Sequence, residues 1–144
     1  MNMFRDLTPR EAHALMNDEG YSYIDVRTEQ EFSQGHPVGA VNVPAFLAGP
    51  GGMMPNPMFL QVMQRVFNTQ DKLVLGCAAG GRSGRACQML AGTGFTELVN
   101  VAGGFAGARD SYGQVVTAGW EAEELPVATD GASYADMQAR ARES

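Results

Sequence analysis

The alternation of apolar and polar positions changes character several times along the chain, and each change marks an element. The run Tyr21-Ser22-Tyr23-Ile24-Asp25-Val26 is rich in β-branched and aromatic residues and predicts a short strand. Ahead of it, Thr8, Pro9 and Glu11 supply an N-cap, a first helical residue and a capping box, predicting a helix over 8–16 closed off by Gly20. A second box, Thr28 with Glu31, predicts a short helix over 29–33 that Gly35 stops. Residues 36–39 read as a turn, and 40–43 as a strand ended by Pro44. Gly, Pro and Met crowd residues 47–57, which predicts a loop. Phe59, Val62, Met63 and Val66 then form the apolar stripe of a helix that Asn56 and Pro57 begin and that runs to about 67.

Lys72-Leu73-Val74-Leu75-Gly76 is the most continuous apolar run, the pattern of a central strand buried on both faces. A helix follows from 82 or 83 to about 90, then a strand over 97–101, then Gly103-Gly104 with a short helical stretch. A loop carrying Gly113, Gly119 and Trp120 leads to Pro126, and Ser133 with Asp136 caps a final helix over 134–142. Strands alternating with helices predict a three-layer α/β fold, a mostly parallel central sheet flanked by helices. No repeat or linker divides the chain, so one domain is expected over 1–144, with its core at about 8–127 and a C-terminal extension beyond.

Composition narrows the function classes. At 144 residues with 44% hydrophobic and 18% charged content, the chain is a globular domain of ordinary size. A net charge of −6 argues against nucleic acid or an anionic membrane as partner, while leaving room for a locally positive pocket. Two cysteines make no disulfide framework and suggest a reducing compartment. The start MNMFRDLTPREAHAL lacks the features of a signal peptide, and no run approaches the roughly 20 apolar residues of a membrane span, so the expected location is cytoplasmic.

The candidate chemistry lies in Cys77-Ala78-Ala79-Gly80-Gly81-Arg82-Ser83, between a strand and a helix N-terminus. Backbone N–H groups of such a loop converge, and the helix dipole adds partial positive charge, so the loop makes an anion cradle. A cysteine at its head is favoured as thiolate, the nucleophilic form. Ala78, Ala79, Gly80 and Gly81 let a ligand approach the backbone, Arg82 offers a fork of donors to an oxyanion, and Ser83 offers a cap or a further donor. Cys77 is thus the candidate catalytic residue, and residues Ala78 to Ser83 the candidate substrate site.

These residues resemble the single-domain rhodaneses, sulfurtransferases whose active loop reads C-x-x-G-x-R-[ST]. The resemblance extends to Asp25-Val26-Arg27 with Glu31-Phe32, to Gly35 through Pro44, to Val101-Ala102-Gly103-Gly104 and to Leu125-Pro126-Val127. His36-Pro37-Val38 departs from the family's His-Ile-Pro order, and 110–118 and the tail after 129 lie outside its pattern. The resemblance implies a two-step exchange. Cys77 takes the outer sulfur of a small anionic donor such as thiosulfate, becomes a persulfide, and passes the sulfur to cyanide, a thiol or an acceptor protein. It implies that Arg82 binds the donor's sulfonate, and that no metal or organic cofactor takes part.

Two rivals bear on the same loop. The related cell-cycle dual-specificity phosphatases carry C-x5-R behind a His, whereas this chain has Gly76 in front and four residues between Cys77 and Arg82, a smaller cradle. Arsenate reduction would meet the same objection. A rhodanese-like binding or regulatory module is the other rival, though such modules usually lack the cysteine. Elsewhere, Cys87 reads as a small core residue rather than a resolving thiol, and Asp25, Arg27 and Glu31 as an ion-pair network holding the first strand-helix corner. His36 is expected to order its turn, His13 to lie at the surface and Trp120 to pack under the C-terminal segment. Met53, Met54 and Met58 are expected to fold back onto the core.

Overall fold

The structure is a computed structural model and describes residues 3–143. Its elements follow in the order β1 (Arg5–Leu7), α1 (Pro9–Glu19), β2 (Ser22–Asp25), α2 (Glu29–Gln34), β3 (His36–Pro37), β4 (Val41–Asn42), β5 (Phe46–Gly49), β6 (Gly52–Pro55) and α3 (Phe59–Val66). They continue with β7 (Leu73–Gly76), α4 (Gly81–Ala91), β8 (Leu98–Val101), β9 (Ala108–Arg109), β10 (Val115–Thr117), β11 (Val127–Ala128) and α5 (Tyr134–Glu143).

Local chemistry starts the helices. The Thr8 hydroxyl accepts the Glu11 N–H at 3.2 Å while the Glu11 carboxylate accepts the Thr8 N–H at 2.9 Å, and Thr28 and Glu31 repeat the arrangement at α2. Ser133 and Asp136 do the same ahead of α5. Because these boxes satisfy N–H groups that have no partner inside the helix, they fix where each helix begins.

Five strands form the central sheet in the order β1-β8-β7-β2-β4, and every pairing in it is parallel. Side chains alternate across it. Ile24, Leu73, Leu75 and Leu98 face one way, into a cluster with Phe59, Val62 and Met63 of α3, Ala86, Cys87 and Leu90 of α4, and Tyr134 and Met137 of α5. Tyr23, Val74, Val99 and Val101 face the other way, against Ala12 of α1, Phe32 of α2 and the buried ring of Trp120. The fold is therefore the three-layer α/β arrangement expected, with β7 at the centre and its C-terminal end opening directly into the residue 77–83 loop.

Several expectations are corrected. Residues 47–57 are not a loop but mostly a hairpin, β5 paired antiparallel with β6 from Phe46↔Pro55 to Gly49↔Gly52. Its Met53 and Met54 are 47% and 58% exposed, and Met58 is exposed too, so none of the three folds back onto the core. Residues 102–106 form turns, not a short helix. His36 and Pro37 are strand, not turn, because they pair with β11, and the turn falls on Val38 and Gly39. The third helix begins at Phe59, since the Asn56 side chain accepts the Met58 N–H at 3.0 Å and holds 57–58 as a turn. His13 is half-buried with its ring edge-on to Trp120, centroids 5.4 Å apart, rather than lying free at the surface.

Candidate active site

Parallel order places the C-terminal ends of β7, β2 and β8 side by side, and the cysteine loop leaves from the middle one. Cys77 is 2% exposed. Its Sγ accepts the Gly80 N–H at 3.1 Å, and the Ser83 Oγ lies 3.4 Å away, so the sulfur rests where the loop turns into α4. Ser83 is fully buried in the first turn of α4, whereas Ala79 and Gly81 are exposed and Ala78, Gly80 and Arg82 are half-buried. Residues 77–83 thus form a closed curl around the sulfur, with a small-residue rim facing outward.

The curl is braced from behind by the turn after β8. The Phe105 and Ala106 N–H groups donate to the Cys77 and Ala78 carbonyls, each at 2.8 Å. Gly104 makes that approach possible, because its φ is +56° and a Cβ there would stand 2.4 Å from the Cys77 carbonyl oxygen. The Cys77 and Ala78 carbonyls are thereby occupied on the outside, while the Gly80 N–H turns to the sulfur.

Arg82 does not stand free to meet an anion. Its Nη1 and Nη2 donate to the two Glu31 carboxylate oxygens at 2.8 and 2.9 Å, a two-pronged pair between α4 and α2. Arg82 beside it is the largest cause holding the Glu31 carboxyl down at about 2, with the Thr28 backbone adding to it. The expected network of Asp25, Arg27 and Glu31 is therefore split. Asp25 and Arg27 form a buried pair at 2.7 Å, and Arg27 also donates to the Gly35 carbonyl and lies 4.5 Å from the Phe105 ring centroid. Glu31 belongs to Arg82 instead. A cleft of about 300 Å³ lined by Phe46, Met53, Gly81, Arg82 and Arg85 opens on one side of this pair, and one of about 350 Å³ containing Ala78, Phe105 and Glu31 on the other.

Two residues that the sequence reading passed over also belong here. Asn100 is 6% exposed in β8, with its Oδ1 2.5 Å from the Ser83 Oγ, and its Nδ2 donates to Asp6 of β1 at 2.9 Å. The available signal was one polar residue inside the apolar run Leu98-Val99-Asn100-Val101. Cys87 sits in the core and burial pushes its thiol up to about 12, which suits a packing residue. His36 orders its corner, stacked on Phe32 with its ring nitrogens against the Phe32 and Asp130 carbonyls. Trp120 is buried and its Nε1–H donates to the Pro126 carbonyl at 2.8 Å, as packing under the C-terminal segment requires. Among the described residues no group of three or more His, Cys, Asp or Glu is placed to hold a metal ion, and no helix is long and apolar enough to cross a membrane.

Comparison with known proteins bears on the family and the fold. The family model of the rhodanese-like domain matches residues 8–110. The thiosulfate sulfurtransferase 16 of Arabidopsis thaliana, a chloroplastic protein, is 45% identical over 94 residues, covering 65% of this chain and 78% of its own. The rhodanese-like domain-containing protein 15 of the same plant is 39% identical over 108 residues, 75% of this chain and 53% of its own, so the chain spans about half the length of that relative. Among solved structures, Rv0390 from M. tuberculosis superposes with a TM-score of 0.69 at 28% identity, covering 87% of this chain and 97% of that one.

Proposed function

The chain belongs to the rhodanese-like domain family, and from that premise we propose that it is a sulfurtransferase working through a persulfide on Cys77. One observation carries the reading: the Cys77 Sγ sits at the junction of β7 and α4, against the Gly80 N–H and the Ser83 hydroxyl, in a loop whose Ala78, Ala79, Gly80 and Gly81 carry no more than a methyl group. Attack by the Cys77 thiolate on the outer sulfur of thiosulfate forms an S–S bond and releases sulfite with the electron pair of the broken one. The loop N–H groups and the dipole of α4 then stabilise the terminal sulfur anion. Attack by cyanide or a thiolate on that sulfur returns the electron pair to Sγ and regenerates the site. In this reading Ala78, Ala79, Gly80 and Gly81 line the donor's path, Ser83 attends the sulfur, and Arg82 reaches the donor's sulfonate only when its hold on Glu31 loosens. Residues 1–144 act as one domain without metal or organic cofactor, on a small anionic donor and a thiol, cyanide or acceptor-protein partner, and the two free cysteines suit a reducing, cytoplasmic setting.

A second reading, a rhodanese-like binding or regulatory module with weak turnover, is favoured by two observations: Cys77 is nearly inaccessible, and Arg82 is already paired. Intact mass after thiosulfate treatment separates the two. A gain of one sulfur, lost on adding cyanide with release of thiocyanate and absent in Cys77→Ser, is expected. An unmodified Cys77 would refute sulfur transfer and leave the binding module.

A further inference from the structure

The Ser83 hydroxyl has one hydrogen and three acceptors within reach: the Asn100 Oδ1 at 2.5 Å, the Gly80 carbonyl at 3.2 Å and the Cys77 Sγ at 3.4 Å. Which one it serves is decided by the orientation of the Asn100 amide. That amide is not free to turn over, because its Nδ2 donates to the Asp6 carboxylate at 2.9 Å and lies 3.3 Å from the Gly80 carbonyl. Both are acceptors only, so the amide nitrogen must face them and the amide oxygen must face Ser83. The parallel register that aligns Asp6 with Asn100 and Asn100 with Leu75 brings all these groups to the end of β7.

We propose that Asn100, oriented by Asp6, is a positioning residue that holds the Ser83 proton away from Cys77 and surrenders it when the sulfur carries charge. With its hydrogen directed at the Asn100 Oδ1, Ser83 turns a lone pair toward Sγ. This arrangement accepts a neutral S–H, or tolerates an Sγ made neutral by its bond to a second sulfur. When cyanide attacks the outer sulfur, a C–S bond forms, the S–S bond breaks, and its electron pair goes to Sγ. The Ser83 hydroxyl then rotates from Asn100 to the new thiolate, which needs the donor. No proton leaves the oxygen; the hydrogen bond changes partner. The device matters because Ser83 is fully buried and Asn100 nearly so, and water cannot take over the vacated positions. The persulfide step rests on the function proposed above, whereas the control of the thiolate by Asn100 does not.

The test measures iodoacetamide alkylation of Cys77 at pH 7 by intact mass and peptide mapping, which reads thiolate availability whether or not the chain transfers sulfur. Asn100→Leu removes the competing acceptor and is expected to accelerate alkylation about tenfold, the scale of one hydrogen bond to a charged group. In a Ser83→Ala background the same substitution is expected to change nothing. The same acceleration in both backgrounds, or none in the first, would overturn the proposal. Should Asn100→Leu lower the thermal midpoint too far for assay, Asp6→Asn at the exposed end of the chain decides. It lets the Asn100 amide turn over, and its accelerating effect must shrink when Ser83 is absent; an equal effect in both backgrounds would be the charge of Asp6 acting directly and would sink the idea. A persulfide assay that fails while this alkylation pattern holds would refute sulfur transfer alone.

Discussion

Gly76 has no room for a side chain. A Cβ built there would stand 1.7 Å from the Tyr23 Oη and 2.5 Å from its Cζ, and Tyr23 is 1% exposed and pinned between Trp120 and the sheet. Gly76→Ala is therefore expected to cost at least the roughly 1–3 kcal/mol of overpacking, read as a drop in the thermal unfolding midpoint. Tyr23→Phe in the same chain should recover only part of the loss, because it removes Oη and leaves Cζ. Cys87 gives a second prediction at this scale. Its thiol is raised to about 12, above the ordinary 9, because burial disfavours the charged form. It should resist iodoacetamide at pH 8 in the folded protein and react once the chain is unfolded in urea, which peptide mapping will distinguish from Cys77. The sequence made Cys77 legible because a nucleophile, small residues, Arg82 and Ser83 are contiguous there. It left Asn100 and Asp6 unread, because Asn100 meets Ser83 only through the packing of α4 on β8, and Asp6 meets Asn100 only through the register of β1 and β8, 94 residues apart in the chain.

Between elements, a two-pronged ion pair ties α2 to α4 at the site. Glu31 caps its own helix through Thr28 and holds Arg82 across the loop with the same carboxylate, so one side chain orders two helix starts. The sign of its pH dependence follows. Its carboxyl is depressed from the ordinary 4.5 to about 2, so the stabilisation is complete above pH 4.5 and is lost as the pH falls through that interval. Glu31→Gln is expected to flatten that part of the acid-unfolding profile followed by circular dichroism, and a profile that keeps its slope below pH 4.5 would show that other carboxylates govern it. The capping boxes at Thr8, Thr28 and Ser133 were legible because each is local, a hydroxyl and a carboxylate three residues apart. The hairpin of β5 and β6 was not, because glycines and prolines read as irregular chain, and its strands, exposed along most of their length, lack the apolar alternation that marks a half-buried strand. The three-residue β1 escaped for the same reason: mostly exposed, it shows no periodicity, and only its partner β8 makes it a strand.

At the scale of the molecule, the two faces of the sheet are closed by unlike means. Helix α1, α2 and the Trp120 segment cover one face. On the other, α3 and α4 leave a space that α5 fills from the far end of the chain, with Tyr134, Met137 and Ala141 in the same cluster as Ile24, Leu75 and Cys77. Spacings of three and four residues put these side chains on one stripe, so the helix of the C-terminal extension is legible in the sequence although it lies beyond the family's pattern. It packs on α3 and β4 and belongs to the core of that face. Met137 is fully buried, so Met137→Ala is expected to cost about 2–5 kcal/mol, the usual range for such truncations. By contrast, Arg10→Ala, which breaks the exposed pair with Glu123 at 3.1 Å, should change stability by no more than about 1 kcal/mol. Urea unfolding of the two variants, followed by tryptophan fluorescence, compares them directly. Trp120 lies on the opposite face from Met137, so a shifted midpoint read there for Met137→Ala requires that both faces unfold together, whereas an unmoved transition would mean that α5 comes away from a sheet that stands without it.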